Sequence, residues 1–226
     1  MNTNSRAEAT SPLLKKFFQR LKGQSPEHDA PAGDRESGFF STLFQDRGED
    51  GLVHSTWATR AIEVHAEAFD RARGNELFSK LWGEDRHFAA LSADDLTRLS
   101  TYLEFVQVAP NQEVIGQNEQ GDYLMIVLDG TLAVDRVQPW GGRARLAEAH
   151  AGDMLGEMSL LDAGARFSAC TTLTPTLLAV LDARRLDEMI DEEPRLAVAL
   201  LASLSRRLSL RLRQVSARLS ALLSRS

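Results

Sequence analysis

The sequence predicts an α+β fold that is mainly β: a jelly-roll barrel with helices before it and one long helix after it. Three observations carry this reading. Beyond Pro110 and Asn111 the apolar residues come in short runs broken by turn residues, at 113–115, 123–128, 131–137, 144–149, 167–171 and 177–181. On either side of that block the apolar spacing changes to threes and fours, the period of a helix. With 226 residues, 43% of them hydrophobic, the chain can bury one well-filled core and carry appendages.

Residues 1–54 read as a flexible tail with two short amphipathic segments. Leu13, Leu14, Phe17, Phe18 and Leu21 recur at helical spacing, with Lys15, Lys16, Arg20 and Lys22 among them. After a linker rich in Ser, Pro, Gly and Asp the spacing returns at Phe39, Phe40, Leu43 and Phe44. Neither segment is long enough to be helical alone. Each either docks on the chain's own core or serves a partner groove, and the basic one also suits an anionic membrane surface.

A helix is expected across 55–76. Trp57, Ala61, Val64, Ala68 and Ala72 fall on one stripe, Ser55 caps its start, and Gly74 stops it. The core domain, 77–193, opens with a helix capped by Ser92 and burying Leu96, Leu99 and Leu103. It continues through the strands and closes with a helix over 182–192 that turns Leu186, Met189 and Ile190 inward. Residues 194–226 form the long helix, with Pro194 suited to its first turn. Leu201, Leu204, Leu208, Leu212, Val215, Leu219 and Leu222 make a near-heptad seam along it, which predicts a homodimer. Seven arginines between Arg195 and Arg225, with no acid among them, read as the solvated face.

The totals narrow the function. A net charge of −6 argues against general affinity for nucleic acid. The single cysteine, Cys170, rules out an internal disulfide, points to a reducing cytoplasm, and reads as a buried apolar side chain. The polar amino terminus is no signal peptide, and no run of about 18 apolar residues suits a transmembrane span. Past residue 76 the only histidines are His87 and His150, too few and too far apart for the metal cluster of a cupin-type barrel. No nucleophile–base pair stands out, so no enzyme is expected.

The stretch from Gly152 to Thr171 carries the chemistry. Gly156 can take a positive φ and let a ligand approach the backbone. Met158, Ser159, Leu160 and Leu161 suit one helical turn whose positive end favours an anion. Arg166, ten residues on, can fork onto two phosphate oxygens, while the Glu157 carboxylate can accept from a ribose hydroxyl. One anion, one sugar and one arginine describe a nucleotide phosphate site.

Gly156-Glu157-Met158-Ser159-Leu160-Leu161 with Arg166 resembles the cassette of the cyclic-nucleotide-binding domain family. The run from Gly121-Asp122 to Gly130-Thr131 is similar to that family's strand–glycine–strand signature, and Gly152-Asp153 stands at its pre-cassette turn. The resemblance spans roughly Leu77 to Leu212 and implies a double-stranded β-helix. It also implies that Glu157 binds the ribose 2′-hydroxyl and Arg166 the exocyclic phosphate, with the Met158 and Ser159 N–H groups completing the cradle. Val134 and Leu146 would line the pocket. Phe167 stands where the family has a small or hydroxyl residue, with Ser168 one place late, and Arg211 with Leu212 stands where it contacts the base.

The implied ligand is cyclic AMP or cyclic GMP, with cyclic di-GMP as an alternative and no metal. The stretch after 194 contains no helix-turn-helix pattern. The expected output is therefore contact with an unidentified protein partner rather than specific DNA binding. The alternative is an adaptor that keeps the barrel without a ligand.

Overall fold

A computed structural model of the chain describes residues 38–46, 54–84 and 91–224. The basic segment around Leu13 to Leu21 lies outside these residues. The second amphipathic segment is helix α1 (Phe39–Asp46), and it docks on the chain's own core. Phe40, Leu43 and Phe44 are buried there with Phe78, Trp82, Leu186 and Leu200. Its first turn is capped from a distant element. The Asp187 carboxylate accepts from the Phe40 and Ser41 N–H groups at 2.9 and 2.8 Å and from the Ser41 hydroxyl at 2.8 Å, which places a negative charge at the helix's positive end.

The stretch expected to hold one helix from Ser55 instead holds β1 (His54–Ser55), α2 (Trp57–Glu63), β2 (Glu67–Ala68) and α3 (Arg71–Gly83). Thr56 rather than Ser55 caps α2. The chain then turns at His65, whose φ is 50°, and Ala68 pairs with Val106 at a sheet edge. That backbone pairing overrides a weak helical preference. Gly74, expected as a stop, sits inside α3, where an added Cβ would come within 2.5 Å of the Phe105 ring.

Helix α4 (Ala93–Ser100) starts with the reciprocal cap of Ser92 and Asp95 and buries Leu96 and Leu99. The strands follow: β3 (Glu104–Val108), β4 (Glu113–Ile115), β5 (Gln120–Gly121), β6 (Tyr123–Asp129), β7 (Leu132–Val137), β8 (Arg143–Ala149) and β9 (Met154–Leu155). After α5 (Glu157–Asp162) come β10 (Ala169–Thr172) and β11 (Thr176–Asp182), then α6 (Ala183–Glu192) and α7 (Pro194–Leu223). All six expected strand runs are present, and β1, β2, β3, β5 and β9 add to them.

The strands make two antiparallel sheets, ordered β4-β10-β7-β8 and β2-β3-β11-β6-β9, in keeping with the expected mainly-β α+β class; β1 and β5 pair separately in parallel. Strand alternation sets the layers. Tyr123, Met125, Val127, Leu178 and Val180 face the four-stranded sheet, meeting Ile115, Leu132 and Cys170. Leu124, Ile126, Leu128, Leu177, Ala179 and Leu181 face the helices. The five-stranded sheet is thus covered on both faces, which is why β6 and β11 read as unbroken apolar runs. Burial pushes the Cys170 thiol up to about 12, in keeping with an inert core side chain.

Asp182 caps α6 by accepting from the Arg185 N–H. Leu196, Ala197, Leu200 and Leu204 of α7 are buried, whereas Leu212, Val215, Leu219 and Leu222 stand exposed. Among the described residues no helix is long and apolar enough to cross a membrane.

Candidate functional site

Strand β9 runs beside β6, with Leu155 opposite Met125, and delivers Gly156 to the start of α5. Gly156 has φ 81° and no Cβ, and both properties are used. Arg166 lies directly against it. The Arg166 guanidinium donates to the Gly156 carbonyl and to the Tyr123 carbonyl, each at 2.6 Å, and sits 4.6 Å from the Tyr123 ring centroid. An added Cβ at Gly121 or at Gly156 would fall 2.5 Å from that guanidinium. Two glycines, two carbonyls and one ring therefore form its berth.

Arg166 is only 3% exposed. Burial pulls its pKa down, opposed by nearby Tyr123. Its charge-assisted bonds go to backbone carbonyls, which are neutral acceptors. An anionic oxygen is the stronger acceptor for the same donors, so the berth suits exchange of carbonyl for phosphate.

Glu157, the first residue of α5, is 5% exposed. Its carboxylate accepts from Arg211 of α7 at 2.6 Å. One turn earlier on α7, Arg207 donates to the Gly152 carbonyl at 3.4 Å. The acid of the cassette is thus tied to the long helix, fifty-four positions away. Ser159 is buried and Met158 half exposed.

The remaining expected residues flank this centre. The expected strand from Phe167 begins two residues later, at Ala169. The Arg166 backbone explains the delay, because it pairs with the loop before β5. Its N–H donates to the Glu119 carbonyl at 2.7 Å, and its own carbonyl accepts from the Asn118 N–H at 2.9 Å. Phe167 and Ser168 therefore lie in a bend. Phe167 is exposed, with the Arg136 guanidinium 3.9 Å from its ring centroid and also bonded to its carbonyl. Val134 is half buried opposite Cys170. Leu146 is 46% exposed, beside an irregularity in the β7–β8 register.

Gly156, Glu157, Arg166 and Arg211 come together as one cluster, with Ser159 buried on the same short helix as Glu157. Tyr123 belongs with them, although no role for it follows from the sequence beyond a place in a strand. The signal for it is the pattern Gly121-x-Tyr123, a missing side chain followed by a ring two residues on. Among the described residues no group of three or more His, Cys, Asp or Glu side chains could hold a metal ion.

The family model described as the cyclic nucleotide-binding domain matches residues 105–193. The CRP-like cAMP-activated global transcriptional regulator of Mycobacterium tuberculosis is 31% identical over 121 residues, 54% of this chain and 54% of that protein. The chain therefore spans about half the length of the curated relatives it matches. A cyclic nucleotide-binding domain from Methylobacillus flagellatus KT superposes with a TM-score of 0.62 at 25% identity, covering 68% of this chain and 85% of that one. Thermus thermophilus catabolite activator protein gives a TM-score of 0.53 at 27% identity, covering 61% of this chain and 63% of its own.

Proposed function

We propose, from the premise that residues 105–193 belong to the cyclic nucleotide-binding domain family, that this protein is a cyclic-nucleotide sensor whose output is a protein–protein contact. The observation that carries the reading is that Arg166 bonds to the left-handed Gly156 while the next residue, Glu157, is held by Arg211 of the long helix. In this reading the ligand phosphate takes Arg166 donors that now serve the Gly156 and Tyr123 carbonyls. A ribose hydroxyl donates to Glu157 in competition with Arg211. Because Arg211 rides on α7, a ligand that engages Glu157 has different affinity for two positions of that helix, which is what shifts a population between them. The signal passes to a partner protein, and α7 pairs with a second copy through Leu208, Leu212, Val215, Leu219 and Leu222.

A second reading rests on the same contacts. Arg166 and Glu157 both have partners within the chain, an arrangement that also suits an adaptor holding its cassette closed without any ligand.

Calorimetric titration of the purified chain with cyclic AMP, cyclic GMP and cyclic di-GMP separates these readings. The sensor requires micromolar or tighter binding of at least one, weakened about ten- to a thousand-fold by Arg166→Ala, the size of a lost charge-assisted contact. No heat and no thermal shift with any of the three leaves the adaptor. Preference for the dinucleotide over both mononucleotides reassigns the ligand and keeps the sensor.

A further inference from the structure

The family match begins at Phe105, yet the backing of Arg166 is built by residues well before it. His54 and Ser55 pair in parallel with Gln120 and Gly121, and Gly121 is one of the two glycines that make room for the guanidinium. Helix α2 follows immediately and plants two side chains against the same loop.

Arg60 is the first. It is 8% exposed, donates to the Glu119 carboxylate and reaches the Glu113 carbonyl at 3.3 Å. Glu119 in turn offers its own carbonyl to the Arg166 N–H, and its carboxylate also accepts from the Gly116 N–H at 3.2 Å. The position of the Arg166 backbone therefore depends on a loop whose acid is held by Arg60. Trp57 is the second. Its ring centroid lies 5.5 Å from that of Tyr123, the ring that Arg166 itself faces, and its backbone N–H donates to the Asp122 carboxylate at 3.3 Å.

We propose that Arg60 and Trp57 are positioning residues that fix Arg166 for the phosphate of a bound nucleotide, Arg60 through Glu119 and Trp57 through Tyr123. This rests on the reading of the cassette as a cyclic-nucleotide site. A binding group works only when its neighbours hold it to within a fraction of an ångström. Here those neighbours come from a segment outside the family-matched region. Removing Arg60 takes the ion-pair partner from the half-buried Glu119 carboxylate and leaves it the Gly116 N–H, which weakens the anchor of the loop. The Arg166 backbone contact then moves with the loop.

Two readouts on the full chain test this. In the ligand-free protein with nitrogen-labelled arginine, the Arg166 guanidinium signal is assigned by its loss in Arg166→Lys. Arg60→Gln is expected to shift that signal and speed its hydrogen exchange, and Arg60→Lys to restore part of the protection. Arg98→Gln, which alters an exposed arginine paired with Asp95 and Glu193, is the control and should leave it in place. The second readout is affinity for cyclic AMP and cyclic GMP, expected to fall about ten- to a hundred-fold in Arg60→Gln. Trp57→Phe keeps an apolar ring and serves if Arg60→Gln does not fold; it should move the same signal. An unmoved Arg166 signal with unchanged affinity in both variants overturns the positioning role, even if the wild-type chain binds well. Wild-type protein that binds neither of these nucleotides nor cyclic di-GMP overturns the functional reading and the ligand half of this proposal with it.

Discussion

The two halves of α7 carry the same apolar spacing and meet different fates. Leu196, Ala197, Leu200 and Leu204 are at most 2% exposed, against 55–68% for Leu212, Val215, Leu219 and Leu222. The first half packs with α6 and the helical side of the core. The second runs on past the cassette, touching it through Arg207 and Arg211. A repeat of threes and fours records that a helix face is suited to being covered, but not what covers it. Between the halves sits an ion pair, Arg211 with Glu157, that ties the helix to the cassette.

The largest effect that could break this contrast lies in the covered half. Leu204→Ala should lower the unfolding free energy by about 2–5 kcal/mol, the usual loss for a large-to-small change in a packed core. It would appear as a lower denaturant midpoint at unchanged slope. A loss under about 1 kcal/mol would mean that this half is not docked as described.

A smaller effect is expected where α1 joins the same covered side. Asp187→Ala leaves the Phe40 and Ser41 N–H groups and the Ser41 hydroxyl without their shared acceptor, a loss of about 1–3 kcal/mol. Asp187→Asn keeps one acceptor oxygen and should fall between wild type and Ala in thermal midpoint. Faster proteolysis near α1, with the sheets still protected, would locate the damage; uniform loosening of the whole chain would count against a local cap.

The smallest effect on folding, and the sharpest on the comparison, belongs to the bare half. Leu219→Glu should change the unfolding free energy of the isolated chain by no more than about 0.5 kcal/mol. If a second copy covers this face, the wild-type chain sediments at twice the monomer mass and Leu219→Glu at the monomer mass. Identical sedimentation of the two proteins would remove the helix seam.

Most of the secondary structure was legible because its causes are local. Ser92 with Asp95, Pro194 and the glycine before Glu157 each announce a helix start through their own conformational preferences, and all three helices begin there. The short unbroken apolar runs at 123–128 and 177–181 likewise marked two strands of the sheet. The expected helix over 55–76 failed because a regular stripe cannot show that Ala68 meets Val106 across a sheet edge. The late start of β10 has the same kind of cause, since the Arg166 backbone is engaged with residues 118 and 119 before the ladder can begin.

The sequence by itself determined which residues in the cassette can carry charge, where Gly156 must turn, and which faces of each helix and strand are apolar. Only the tertiary structure decided that Arg166 lies against Gly121, Gly156 and Tyr123, that Glu157 faces Arg211, and that Arg60 holds the loop behind them. Turn geometry and apolar periodicity are written in neighbouring residues. A buried charge takes its partners from whichever elements the fold brings to it: Arg166 and Tyr123, Glu157 and Arg211, and Arg60 and Glu119 stand 43, 54 and 59 positions apart.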